Sequence, residues 1–476
     1  MTAGGGSTAL APAPDREGVR ARPARLGRGA LFAVLGVLFA LAAIGLPELG
    51  SDPWPFRPGP VHPHGLFAPL VRAAGEKWDL GVLRAAAFLA ALGVAGFGAV
   101  ALRRRSAPVW SAVAAVLVVG ALLAGPPTLL QLGLRQSTAP WFYTNDSTYQ
   151  TELAGDLLLH GKNPYGHDYR ASGLERFYTR NGTVSERVRR REVALRHYAY
   201  FPGTVLTGAA WRLLPAPLDD YRLFLLIVTL ATLAAVMAFR APPAVRLAVG
   251  ALVVANPIAV RSAWFGQNDA PSILFLILAF ALATRRRAGW SAASLAAAVL
   301  LKQFALVAAP FLALMLVKQG IGRSDLRRAA LVFVAVLAAG ILPFLAWDPS
   351  AFVKDTVKYG AGTYRIVGYG LSAILLRLHV IAHREGSYPF ALLALVIWVP
   401  LTAYLLVSQW RARELWVGAA GFAISMTVLL FIGRTFNNYY LIWPMMGAAI
   451  AALVAAGEAA GAPMGSRAGP RSDRRP

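Results

Sequence analysis

Predominantly apolar segments of about 15 to 24 residues recur along the chain, near 29–46, 83–102, 108–130, 219–239, 244–262, 267–284, 289–302, 303–317, 327–346, 387–408, 415–433 and 438–457. A bilayer core about 30 Å thick takes about 20 apolar residues in a helix. Unpaired backbone is excluded from that core, so runs of this kind restrict the chain to a bundle of helices. The sequence therefore reads as an all-α, polytopic transmembrane bundle of about 12 to 13 helices. Hydrophobic residues make up 57% of its 476 positions, more than one soluble core needs. No short-period repeat of solenoid type interrupts the pattern.

The net charge of +24 is carried largely by short Arg clusters between apolar runs, not along one polar face. It therefore reads as topological charge, with the lipid bilayer and no nucleic acid as partner. Cysteine is absent, which removes disulfides, thiolate catalysis and Cys-ligated metals. Placing the Lys/Arg clusters at 16–28, 103–105, 240–246, 285–287, 318–328, 411–413 and the tail in the cytosol gives one consistent alternation. The chain then divides into a disordered cytosolic terminus (1–28), N-terminal transmembrane helices (29–133), an extracytoplasmic loop (134–200), a transmembrane core (201–320), C-terminal helices (321–460) and a disordered cytosolic tail (461–476). The expected location is a multi-pass cell membrane protein with both termini cytosolic. The 134–200 loop itself carries ten Lys/Arg, including Arg187 to Arg191, but loops of that length translocate largely regardless of charge.

Two stretches are too short to span alone. Residues 289–317 lie between Arg clusters and read as a hairpin of two short helices, each about 22 Å long, with Lys302 at the tip near the outer interface. Segment 199–215 has to begin and end outside and reads as a re-entrant or interfacial helix.

Ionisable residues gather on the outer side. "NDSTYQTELAGDLLLHGKNPYGHDY", from Asn145 to Tyr169, holds Asp146, Glu152, Asp156, Asp168, His160, His167 and Lys162. "NPIAVRSAWFGQNDAPS" places Gln267, Asn268 and Asp269 in a tight turn, and "LLKQF" brings Lys302. Smaller sets lie at Lys354 to Arg365 and at Arg434 to Tyr440. Presented to one interface, these groups can line a cavity for an anionic, partly lipidic ligand, with Lys302 as a point charge for phosphate and Asp146 as a general base. Each has a second reading. Asp146 can cap the helix that follows, whose apolar side includes Leu153, Leu157 and Leu158. Asp269 can cap the next helix, and Lys302 can snorkel to headgroups. Glu152 and Asp156 read as a solvated stripe. His160, His167 and Asp168 can hold a metal, although the spacing is not that of a helical zinc pair, and no metal is assigned.

The blocks around these residues resemble polyprenol-phosphate-sugar glycosyltransferases of the integral-membrane type C, most closely glycosyltransferase family 87, the α-mannosyltransferases. Asp146, Tyr149, Leu157 to Leu159, Gly161, Pro164 and Tyr165 are similar to the first extracytoplasmic loop of that family. "YAYFPGTVLTGAAWRLLP" is similar to its Tyr-Pro-Pro segment, with Gly203 in place of the second proline; "NPIAVRSAWFGQND" to its Gly-Gln-Asn block; and "AASLAAAVLLKQFALVAAPFLAL" to its Lys hairpin. The likeness covers roughly 140 to 320, and the 170–196 insert is unusually long and basic.

The resemblance implies a bundle of GT-C type whose long extracytoplasmic first loop contains short interfacial helices. It implies transfer of a sugar, mannose first, from a polyprenyl phosphate donor to a hydroxyl of a glycolipid or glycan acceptor, with inversion and without a nucleotide. Asp146 is then the catalytic base; Lys302, Arg365 and Arg434 bind donor phosphate; and Tyr149, Lys162, Asn163, Tyr165, Gln267, Asn268 and Asp269 bind substrate. No cofactor is required, and metal use stays open. Trp141, Tyr143, Tyr165 and Trp264 stack on sugar rings or anchor the interface. A secondary transporter or lipid flippase for an anionic substrate is the alternative, with Lys302 and Asp269 as coupling residues.

Overall fold

The computed structural model describes residues 25–44, 61–74, 80–102, 106–138, 143–180, 183–184, 195–363, 366–384, 386 and 388–461. The helices are α1 (Arg28–Ile44), α2 (Ala68–Ala73), α3 (Leu80–Leu102), α4 (Val109–Ser137), α5 (Asp146–Leu159), α6 (Pro202–Arg212), α7 (Tyr221–Met237), α8 (Pro243–Ala255), α9 (Pro257–Phe265), α10 (Ala270–Thr284) and α11 (Ala288–Leu301). A 3₁₀ turn (Gln303–Ala308) leads to α12 (Ala309–Lys318), α13 (Arg323–Trp347), α14 (Pro349–Val353), α15 (Leu371–Arg377), α16 (Phe390–Arg411), α17 (Trp416–Ile432) and α18 (Ile442–Gly461). β-Pairing among the described residues is confined to two-residue strands such as Arg25–Leu26 with Ala107–Pro108 and a single bridge between Val61 and Thr138.

Every apolar run forms a helix, but their lengths differ from twelve equal crossings. Among the described residues, five helices are long and apolar enough to cross: Leu83–Val100, Val109–Ser137, Arg323–Trp347, Phe390–Arg411 and Asn438–Gly461. The pair α8 and α9 makes a sixth, bent by 45°. Its bend follows from Asn256-Pro257: proline offers no N–H and holds the residue before it extended, and the Asn256 side chain caps the new helix by accepting from Ala259 N at 3.0 Å. Helices α7, α10, α11 and α17 and the 303–318 segment are apolar but have only 10–17 residues, at most about 26 Å of rise against a core of about 30 Å. Helix α4 runs on past the expected end at 130, through Pro126 and Pro127 to Ser137.

The bundle has two ends. At one, Arg285 Nε donates to Ala238 O (2.6 Å), Arg286 Nη2 to Gly320 O (3.5 Å) and Leu415 N to Glu458 Oε1 (2.7 Å). There Lys318 Nζ also donates to the carbonyls of Gln409 (2.7 Å) and Ala412 (2.6 Å), satisfying the open end of α16. The Arg286–Gly320 contact closes the hairpin expected over 289–317, whose halves are α11 and the 303–318 segment. The opposite end carries α5, α6 and the turns at 266–269 and 302.

Helix α6, the segment expected to be interfacial, has 11 residues and lies against α5. Glycines make the approach possible. A Cβ on Gly155 would lie 2.6 Å from Ala209 N, and one on Gly208 2.7 Å from Thr151 O. At the start of α6 a Cβ on Gly203 would meet Leu300 O at 2.6 Å and Leu301 N at 2.9 Å. These are backbone atoms just ahead of Lys302. Gly203→Val is expected to cost about 1–3 kcal/mol and to push α6 off the hairpin, read as a lower detergent melting temperature; an unchanged melt would contradict this packing.

A second, mostly aromatic core sits at this end. It contains Tyr143, Tyr149, Tyr165, Tyr169 and Tyr198 with Phe344 and Phe352, and Leu153, Leu157 and Leu158 pack on it as the helix pattern anticipates. Each buried phenol finds a partner: Tyr149 on Ser172 O, Tyr165 on Tyr200 O, Tyr169 on Pro164 O, Tyr198 on Thr204 Oγ1 and Tyr143 on Glu152.

Candidate functional site

Helix α5 starts at Asp146 because Asn145 caps it. Asn145 is extended, and its Oδ1 accepts from Ser147 N (2.8 Å) and Ser147 Oγ (2.6 Å), which satisfies a first-turn donor that has no helical partner. Capping thus falls to the neighbour. The partly buried Asp146 carboxyl stands in the first turn, where the helix dipole favours negative charge.

That turn is clasped by residues 266–268. Gly266 ends α9 at φ +84°, and the Thr148 hydroxyl donates to its carbonyl. A Cβ at 266 would lie 2.8 Å from Thr148 Oγ1, so both the backbone conformation and the contact call for glycine. Asn268 Nδ2 donates to Thr151 Oγ1 (2.9 Å) and Ser147 O (3.3 Å).

Asp269 makes no side-chain cap to α10. Its Oδ1 accepts from Trp443 Nε1 at 2.8 Å and lies 3.2 Å from Lys302 Nζ. Lys302 is 7% exposed and held among aromatic rings: the centroids of Tyr200, Tyr440 and Phe304 are 5.3, 5.8 and 5.9 Å from its Nζ. An ammonium paired with a carboxylate and facing ring quadrupoles is stabilised where it is, so it does not snorkel outward.

Tyr200 joins the two halves. Its ring faces Lys302, and its hydroxyl lies near the Ser147 side chain, one residue from Asp146. The carboxylates of Asp146 and Asp269 both lie close enough to act on it. Burial pushes the phenol well above its usual range; the nearby Ser147 hydroxyl pulls back, and the two carboxylates add to the rise. Tyr200 therefore stays protonated at neutral pH. Four chain segments, at 146–147, 200, 269 and 302, thus bring two carboxylates, a phenol and an ammonium together beside a helix N-terminus.

The other expected site residues are placed as follows. Tyr149 and Tyr165 are buried in the aromatic core with their hydroxyls spent on backbone; Tyr165 thereby fixes the carbonyl of Tyr200. Asn163 Oδ1 accepts from Tyr165 N (3.0 Å) and shapes the turn at Pro164, while Lys162 is exposed. Gln267 Oε1 accepts from Ser262 Oγ (2.6 Å). The Arg434 guanidinium lies 5.8 Å from the Phe390 ring centroid, on α16. Arg365 and Trp141 lie outside the described residues. Tyr143 and Trp264 are buried, under Arg222 and Arg84 respectively, so neither is an exposed sugar platform.

Two further readings do not hold. Glu152 is not part of a solvated stripe: it is 2% exposed and bound by Arg135 at 2.8 Å, whereas Asp156 pairs with Arg212 at 2.9 Å near the surface. His160, His167 and Asp168 do not assemble: Asp168 binds Arg170, His160 Nδ1 meets Asp156 O (2.7 Å), and no group of three His, Asp or Glu able to hold a metal occurs among the described residues.

Tyr200, Tyr440 and Trp443 escaped the sequence reading because aromatic residues near a membrane surface look like interfacial anchors. Also unforeseen is His197, whose Nδ1 meets Asp355 Oδ1 at 2.5 Å while Asp355 Oδ2 accepts from Gly166 N (2.8 Å) and Tyr198 N (3.2 Å). This ties the 195–201 segment to the region after α14. Comparison with family models, with curated proteins and with solved structures found no match to this chain.

Proposed function

We propose that the protein is a membrane glycosyltransferase of GT-C type that moves a sugar, mannose first, from a polyprenyl phosphate to a hydroxyl of a cell-envelope glycolipid or glycan. The observation that carries this reading is the convergence of Asp146, Tyr200, Asp269 and Lys302 at one end of an apolar bundle. Asp146 takes the proton of the acceptor hydroxyl, the freed oxygen attacks the anomeric carbon, and the bond from that carbon to the phosphate oxygen breaks with its electron pair leaving on the lipid phosphate. Attack opposite to departure inverts the centre. Lys302 meets the charge that grows on the phosphate, a contribution that is largest in a dry site. Asp269, itself held by the Trp443 indole N–H, pairs with the ammonium until then, and Tyr200 keeps acid and ammonium in register. The test is sugar release from a panel of polyprenyl phosphate sugars by the purified protein in detergent.

The buried Asp269–Lys302 pair also suits an ion-coupled transporter. Inactivity on the whole panel, with substrate-coupled flux in liposomes, would favour that reading.

We place the site on the extracytoplasmic face, because the opposite end carries Arg285 to Arg287, Lys318 and the Arg411–Arg413 turn. In the cysteine-free chain, Lys162→Cys should react with an impermeant maleimide in intact cells and Arg413→Cys only after permeabilisation. The reverse pattern would invert the map.

A further inference from the structure

A cavity of about 180 Å³ opens at the far end of α5, away from Asp146. It is smaller than the roughly 300–1,000 Å³ of a drug-sized pocket and holds about six waters' worth of space. Leu153, Leu157 and the buried Tyr169 line its apolar side, while Asp156, His160, Lys162 and His167 bring polar groups to it.

The walls are fixed by bonds already made. Tyr169 N donates to Leu195 O (2.7 Å), its hydroxyl donates to Pro164 O (2.8 Å), and its ring meets His167 edge-on at 5.1 Å. Asp156 is held by Arg212. Burial keeps the His167 ring below its ordinary value, so at neutral pH it offers one donor and one acceptor nitrogen. An apolar wall opposite a neutral imidazole, an ammonium and a carboxylate suits a molecule with a C–H face and a hydroxyl rim. A compact anion would gain from Lys162, but it would face the Asp156 carboxylate and lose hydration against leucine.

We propose that this cavity binds one sugar residue of a neutral glycan, as a subsite separate from the Asp146 cluster. Between Asp146 and residues 153 to 160 lie 7 to 14 helical steps, about 10 to 21 Å. One ring cannot reach both places, whereas an extended oligosaccharide can. The proposal rests on the acceptor being a glycan, but binding can be measured without turnover.

The reporter is Ser172→Cys, on the cavity wall, in the full-length protein, which has no other cysteine. Alkylation by a maleimide is followed in detergent with manno- and malto-oligosaccharides of one to four units, and with inorganic phosphate. A saccharide of one of the two series should slow labelling by about tenfold at saturation, and phosphate should not. Adding Lys162→Ala or His167→Ala should weaken that protection with no change in melting temperature. No protection by either series, protection by phosphate alone, or protection indifferent to both rim substitutions would overturn the proposal. Binding without sugar transfer would leave the subsite and remove the enzyme; transfer without protection would do the opposite.

Discussion

Asp146→Asn is expected to lower sugar transfer by about 10² to 10⁴-fold, the usual contribution of a positioned general base, while leaving the protein folded. The separation of the two effects comes from the local structure. Asn145, not Asp146, caps α5, and Asn268 and Gly266 hold the same turn through Thr148, Thr151 and the Ser147 carbonyl. Losing the Asp146 charge removes a helix-dipole interaction of about 0.3–1 kcal/mol. Asn145→Ala is the mirror control: it should cost about 1 kcal/mol of stability yet keep the base. Rates with donor and acceptor, set beside detergent melting curves, decide the matter. An Asp146→Asn protein that turns over at the wild-type rate would remove Asp146 from the mechanism.

How much of this could be read from the residues depends on the kind of signal. The helical positions were legible because apolar runs of this length have one stable solution in a bilayer. The Lys302 hairpin was legible because the Arg clusters at its ends must share a side, whereas the bend at Asn256-Pro257 went unread, because 244–262 reads as one apolar run. The grouping of Asp146, Asp269 and Lys302 at one end followed from counting crossings. Their partners did not follow. Whether Lys302 meets headgroups or Asp269, and whether Glu152 faces water or Arg135, depends on helix rotation and on long-range packing, here between residues 17 to 174 positions apart. Glycines at 155, 203 and 208 carry no sign in the sequence of what they meet, yet they are the surfaces on which α5, α6 and α11 touch. The chemistry was therefore readable by type and by side of the bundle, and the aromatic cage was not.

The largest loss of stability is expected from Arg222→Met, at about 3–5 kcal/mol, the range for leaving a buried charge without its partner. Arg222 is 0% exposed and Asp220 1%, and they meet at 2.6 Å. Asp220 also binds Arg135 at 3.0 Å, and Arg135 binds Glu152 at 2.8 Å. Glu152 Oε1 accepts from Tyr221 N at 2.7 Å, and the Arg222 guanidinium lies 4.1 Å from the Tyr143 ring centroid. Two cations and two anions thus balance where α4, α5 and α7 meet, and removing one cation leaves a net negative charge among groups that have little water to turn to. The double variant Arg222→Met with Asp220→Asn should recover part of the loss, because the charges then balance again; a coupling energy near zero would show that the ion pair is incidental to packing. The network also anchors α5 through Glu152. Arg222→Met should therefore lower activity and melting temperature together, in contrast to Asp146→Asn, and the two variants side by side separate a residue that holds the site from one that acts in it.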